Sequence, residues 1–135
     1  MQFRVKDYDK SVHDCWMALT IPQPDADYLV TPVVMRKDGS WAACKYSIDL
    51  DFSTDYRGDI LICSGASKHP QTHPPGQMRG LVHLDFVETT EDGLYRWVFS
   101  DPRRVVEFPI SGRAGLWKYI CPKGEVTEYP RLIRL

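Results

Sequence analysis

Four things are missing from this chain, and each absence narrows what it can be. No apolar run approaches the roughly 18 residues a helix needs to cross a bilayer, and the opening MQFRVKDYDKSVHDC lacks the apolar core of a secretory leader. No two of the four cysteines, Cys15, Cys44, Cys63 and Cys121, stand in CxxC spacing, which removes the usual zinc-ribbon and dithiol redox motifs. Neither sign of charge predominates: 17 Lys and Arg face 18 Asp and Glu, a net charge of -1, so the global basic footprint of many duplex-binding domains is absent. Repeats, low-complexity tracts and an interdomain linker are missing too. The expectation is a soluble, cytoplasmic protein with reduced thiols, no membrane partner and no cofactor.

What is present fits one domain spanning residues 1–135, since 135 residues of ordinary apolar content can bury a single core. Charge is mildly asymmetric. Residues 1–67 hold seven basic against ten acidic side chains, and residues 68–135 hold ten against eight. Short apolar or alternating runs separated by turns dominate the pattern. LVHLDFVE and LYRWVF flank TTEDG, where Asp92-Gly93 supplies hairpin chemistry. RVVEFPI, GLWKYI and EVTEYPRLI follow, broken at Ser111-Gly112 and at Pro122-Lys123-Gly124. Helical signal is thin: Pro24 to Val30 reads as a short helix with acids in its first turn, stopped by Pro32. The pattern predicts a mainly β, mostly antiparallel barrel with one or two short helices.

The stretch TDYRGDILICSGASKHP, Thr54 to Pro70, is the most suggestive. Its apolar centre, Ile60 to Cys63, reads as a buried strand. The residues that leave its far end are small, hydroxylated and cationic. They suit a surface that receives an anion or a base edge.

Several motifs in order resemble the ASCH domain family, within the PUA-like β-barrel superfamily. LTIPQP, Leu19 to Pro24, is similar to that family's Leu-Ser-Ile-x-Gln-Pro opening. The family pattern Gly-x-Lys-x-x-Glu-x-Arg-x-Trp-x-Thr-x-Tyr-Arg-Gly is met here, without a gap, by Lys45, Phe52 in place of Trp, Thr54 and Tyr56-Arg57-Gly58. MRGLVHLDFVE and YRWVFSDPRRVVEFPISGRAGLWKY resemble the later strand and the closing Trp, Asp-Pro, Gly and Gly-Leu-Trp elements. Together the matches cover about residues 16–120. The resemblance implies a central cleft lined by the strand after Tyr-Arg-Gly, with Ser64, Ser67 and Lys68 at its mouth.

Two departures bear on chemistry. Ile48 and Leu50 stand where the family pattern has Glu and Arg. In ASCH-type amidohydrolases of acetylated cytidine, the resemblance implies a Lys, a Thr three residues on, and a Glu elsewhere. Lys45 is present, but Ile48 has no hydroxyl with which to attack. Ser47 is adjacent and, in an extended strand, points to the opposite face from Ile48; a one-residue slip or a bulge would bring it in. If the protein is an enzyme, Lys45 and Ser47 are its catalytic residues, but these departures lean away from catalysis.

Other constellations are better read as structure. Cys63, His69 and His73 supply three potential zinc ligands, yet no fourth is evident and the prolines forbid a helical His pair. Asp49, Asp51, Ser53 and Asp55 fall at calcium-loop spacing, with Thr54 where Gly is needed and Ile60 where Glu is needed. Ser64-Gly65 is no nucleophile elbow, because no helical pattern follows. His13 and His83 read as surface or hydrogen-bonded strand residues. Of the aromatics Trp16, Trp41, Trp97, Trp117, Tyr28, Tyr56 and Tyr95, most belong in the core, Trp97 and Trp117 above all. Tyr56 and Trp41 are the candidates for a stacking platform near the cleft.

Three functions remain. In the first, the cleft binds single-stranded RNA or a nucleotide: Gln23 reads a base edge, Lys45, Arg57 and Lys68 neutralise phosphate, Ser64 and Ser67 give close polar contacts, and Tyr56 stacks. The second is an enzyme, an amidohydrolase of acetylated cytidine or a ribonuclease of the kind the resemblance implies. The third is a protein-interaction domain that keeps the barrel and has lost the cleft chemistry.

Overall fold

The computed structural model describes residue 6 and residues 8–31, 33–35, 37–39, 41–43 and 45–129. In chain order the elements are β1 His13–Ile21, α1 Asp25–Val30, β2 Val33–Met35, β3 Trp41–Ala43, β4 Ser47–Leu50, β5 Gly58–Ser64, β6 Gln77–Thr89, β7 Tyr95–Pro109 and β8 Leu116–Pro122. Six strands make one sheet in the order β4-β7-β6-β5-β1-β8, while β2 and β3 form a separate ribbon.

The mainly β reading and the helix near Pro24 to Val30 both hold. The hairpin at Asp92-Gly93 joins β6 to β7, closed by hydrogen bonds from Thr90 N to Leu94 O and from Gly93 N to Thr90 O, with Gly93 at φ 77° as such a turn requires. RVVEFPI is not a separate strand. It continues β7 from LYRWVF through an irregular step at Ser100 to Arg103, where Asp101 takes φ 50°. One pairing is parallel: β1 runs alongside β5, from Met17 opposite Ile60 to Ile21 opposite Ser64. A parallel neighbour needs a crossover, and α1 with β2 to β4 provides it.

β5 explains the two cores. Its Ile60 and Ile62 enter a cluster with Leu19, Ile21, Leu29, Val30, Val82, Leu84 and Trp97. Its Leu61 and Cys63 enter a second cluster with Ala18, Met78, Leu81, Trp117 and Tyr119. A strand buried on both faces reads as an unbroken apolar run, as Ile60 to Cys63 does. Trp97 and Trp117 are buried, as the alternation predicts. A six-residue helix has no independent stability; α1 persists because Ala26, Leu29 and Val30 are buried against the sheet.

The expected barrel is not closed. β4 and β8 are the sheet's two margins, and β4 is so short that it pairs only with Tyr95 to Val98 of β7. Farther along, the outer side of β7 meets the segment that leaves β8: Val105 bridges Glu128, Val106 N donates to Thr127 O and Tyr129 N donates to Arg104 O. The margins therefore approach through a strap, not a ladder. Phe108 of β7 and Tyr119 of β8 stack across the gap, ring centroids 6.1 Å apart. Of the strand expected in EVTEYPRLI only the bridge at Glu128 is seen, and residues 130–133 lie outside the described residues.

Gly80 lets α1 lie this close. A Cβ there would run into the Arg103 carbonyl oxygen and the Val30 side chain, so Gly80→Ala is expected to destabilise the protein by roughly 1–3 kcal/mol through overpacking, read from the urea midpoint. The thiols give a second check. Cys15, Cys63 and Cys121 are free, and Cys44 lies outside the described residues. Burial pushes the Cys63 and Cys121 thiols up to about 12. At pH 8 peptide mapping should find Cys15 alkylated in the native protein, and Cys63 and Cys121 only after unfolding.

Candidate functional site

At the β4 margin, Pro22, Asp25, Lys45, Ser47, Ile48, Asp49, Leu50 and Arg96 line an open concavity of about 630 Å³. Strand pairing builds one wall, because Asp49 sits directly opposite Arg96 and its carboxylate takes the guanidinium at 3.0 Å. That carboxylate holds the Arg96 guanidinium above its ordinary pKa. The other wall comes from the chain entering α1, where Asp25 holds the Lys45 ammonium at 3.2 Å. Ile48 and Leu50 pack into the core with Trp97 and Tyr95, and of the two only the half-buried Leu50 keeps appreciable apolar surface. The hollow's cations and carboxylates balance one another, so a phosphate group must displace a carboxylate to be held.

The sequence-predicted residues divide among three places. Lys45 and Ser47 share the concavity. β4 pairs with β7 residue for residue, without a slip or bulge that would carry Ser47 into the position of Ile48. Gln23, Ser64, Ser67 and Lys68 gather where β1 and β5 end. Gln23 is a brace there: its Nε2 donates to Pro74 O at 3.0 Å and its Oε1 accepts from Asp27 N at 3.1 Å. Ser64 is buried instead of standing at a cleft mouth, because its Oγ accepts from Gln77 N at 3.0 Å and locks β5 to β6. Ser67 Oγ accepts from His69 N within its own turn, and Lys68 is exposed.

Tyr56 and Arg57 lie at the opposite end of β5, which at about 3.3 Å per residue is ~20 Å away. Tyr56 is no open platform: it packs on the core and its hydroxyl donates to Asp59 O at 2.7 Å, while burial and then the Asp59 charge raise its pKa. Arg57 turns back on its own loop, donating to the Thr54 and Tyr56 carbonyls. The Trp41 side chain lies outside what is described. The three potential zinc ligands are split, since Cys63 packs against Met78 in the core and His73 is engaged by Asp27. His83 is a hydrogen-bonded strand residue, with Nδ1 3.2 Å from Asp59.

Sequence reasoning missed a nearly buried ion pair. Asp27 and Arg79 are only 7% and 8% exposed, and the Asp27 carboxylate meets Arg79 Nε at 2.6 Å and His73 Nδ1 at 2.9 Å. Tyr28 lies edge-on to the His73 ring at 5.7 Å. The network continues to Glu107, 3.8 Å from Arg79 and bonded to Arg104 and Tyr129. Asp27 had been noticed only as a first-turn helix acid. Nothing in the local pattern ties it to residues 46 and 52 positions away. Asp25, Asp49 and Arg96 were also missed as partners of Lys45 and Ser47.

Compared with models of protein families and with curated protein sequences, the chain matches none.

The pair has a consequence in acid. Burial alone would raise the Asp27 carboxyl; hydrogen bonds from Arg79 and His73 and the Arg79 charge outweigh it and hold the group below 3.8. A depressed carboxyl stabilises the fold above its unfolded value, and that stability is lost as pH falls through the folded one. Urea midpoints should therefore drop as pH falls below about 4. Asp27→Asn should flatten that dependence and cost roughly 3–5 kcal/mol at neutral pH, by leaving Arg79 buried without its counter-charge.

Proposed function

We propose that the protein is an ASCH-like, PUA-type binding module whose concavity takes one nucleotide, either free or as a unit of single-stranded RNA, in the reducing cytoplasm. The observation that carries this is the lining of the hollow at the β4 margin. Its volume of about 630 Å³ falls in the range of small-ligand sites, roughly 300–1,000 Å³. Pro22 and the half-buried Leu50 offer apolar surface to a base. Asp25 and Asp49 can accept hydrogen bonds from exocyclic amino groups, and Lys45 or Arg96 can exchange its carboxylate for a phosphate oxygen. Charge balance in the lining favours one nucleotide over a long polyanion there. The order of the sequence motifs supports the ASCH-like assignment, and the strap from β8 to β7 supports a barrel-like curl. The three free thiols fit a reducing compartment.

A second reading draws on the Lys45–Asp25 contact at 3.2 Å beside Ser47 in the same hollow. A lysine, a hydroxyl and a carboxylate are the groups such an amidohydrolase of acetylated cytidine would use: Ser47 Oγ attacks the acetyl carbonyl carbon, the C–N bond breaks and cytidine leaves as its protonated exocyclic amine, and water then releases acetate from the serine. It ranks second because an ammonium ion-paired to a carboxylate has no lone pair with which to take the serine proton.

Titration with the four nucleoside monophosphates, run beside a hydrolysis assay on acetylated cytidine, decides between them. Binding should be weak, and Lys45→Ala or Arg96→Ala should each reduce it about tenfold while leaving stability nearly unchanged, because both pairs are exposed. Lack of binding up to about 10 mM, where even a Kd of ~1 mM would saturate the site, overturns the proposal. Turnover abolished by Ser47→Ala and Lys45→Ala would establish the enzyme reading.

A further inference from the structure

We infer that the end of the sheet where β1 and β5 finish is a phosphate-binding surface for single-stranded RNA, reading through Lys68, His69 and Arg113. The choice of RNA rests on the nucleotide reading above; the surface itself rests on separate observations. Ile21 pairs with Ser64, Gln77 with Pro109 and Leu19 with Leu116. Five strands therefore start or stop together, and loops 65–76 and 110–115 leave from the same end.

The loops are joined to each other and to β1. Ile110 N donates to Gly76 O at 2.9 Å and Gly76 N donates to Ser64 O at 2.8 Å. Gly65 and Gly112 both lie against Thr20. This end is also fixed to the concavity. Pro22 and Asp25 line the hollow, while Gln23, between them, is bonded to Ala66 O and Pro74 O. Loop 65–76 is thus bonded to the segment that forms one wall of the concavity.

Charge is sorted between the two ends of the sheet. Loops 65–76 and 110–115 carry Lys68, His69 and Arg113 and no Asp or Glu, and the two carboxylates that α1 brings to this end, Asp25 and Asp27, are each paired with a cation, Lys45 and Arg79. At the opposite end, loops 51–57 and 90–94 carry Asp51, Asp55, Glu91 and Asp92 against Arg57, and segments 8–12 and 122–125 add Asp9 and Glu125 against Lys10 and Lys123. A net charge of -1 therefore conceals a polar molecule, whose basic end attracts a polyanion and whose acidic end repels it. Lys68, His69 and Arg113 are exposed. The Arg113 guanidinium lies 5.8 Å from the Trp117 ring centroid, an arrangement that offers a flat cationic surface for a base to stack on.

The test compares one nucleotide with a labelled octanucleotide of the same base at several salt concentrations, using the intact chain. The octamer should bind at least about tenfold tighter than the mononucleotide. Lys68→Ala combined with Arg113→Ala should remove that advantage and reduce the magnitude of the salt slope by about 1.4, two phosphate contacts at ~0.7 each for a single strand. The double variant should leave mononucleotide affinity and the urea midpoint unchanged, and Arg57→Ala at the acidic end should leave all these quantities unchanged. An octamer that binds no tighter than the mononucleotide overturns this inference while the nucleotide reading stands. A mononucleotide that fails to bind, beside an octamer whose affinity still depends on Lys68 and Arg113, supports the surface and removes the concavity. Equal binding of polyglutamate of matched charge overturns the assignment to RNA.

Discussion

The contact on which most of this arrangement depends is Asp27 against Arg79. It fastens a helix too short to stand alone onto β6, and through His73 it fixes the proline-rich loop to the same helix. Removing two charges from water costs several kcal/mol per ion, and a buried pair does not by itself stabilise a fold relative to apolar side chains. What it imposes is position. With Asp27 facing Arg79, Asp25, two residues earlier, lies within reach of Lys45, and Gln23 lies between helix and loop with both ends of its amide engaged. The wall of the concavity is thus set by a contact that does not line it.

The parallel pair of β1 and β5 extends that constraint. Their shared direction sends the chain out of both strands at the same end, so two loops distant in sequence become neighbours. Gly80 completes the geometry by letting α1 approach β6 at backbone distance. Hence the polar features cluster at strand ends and at the short β4 margin, while both faces of β5 are sealed by apolar side chains.

Much of the fold was legible because its signals are local. Proline followed by acids marked α1, Asp92-Gly93 marked the hairpin, and an unbroken apolar run marked β5 as a buried strand. The two tryptophans expected in the core are there. Less of the site could be read. Tyr56-Arg57-Gly58 and Ser64-Gly65-Ala66-Ser67-Lys68 are close in sequence, but a seven-residue strand carries them to opposite ends of the sheet, so proximity along the chain misled. Ser64 and Gln23 carry polar groups suited to a ligand that instead satisfy backbone groups made at strand ends and loops. Barrel closure was unreadable because it depends on whether a margin strand is long enough to find a partner, and β4 has only four residues.

That brevity has a consequence for recognition. Four consecutive residues of β4 border the hollow, although their side chains alternate between the core and solvent. Among the described residues β4 has a ladder partner on its β7 side alone, which leaves alternate peptide N–H and C=O groups of its outer edge without one. Any group that hydrogen-bonds along such an edge is held by peptide groups at the regular spacing of a strand, not by side chains. Such an edge belongs to the main chain, so it would survive drift in most of the side chains around it and lose a donor to a proline.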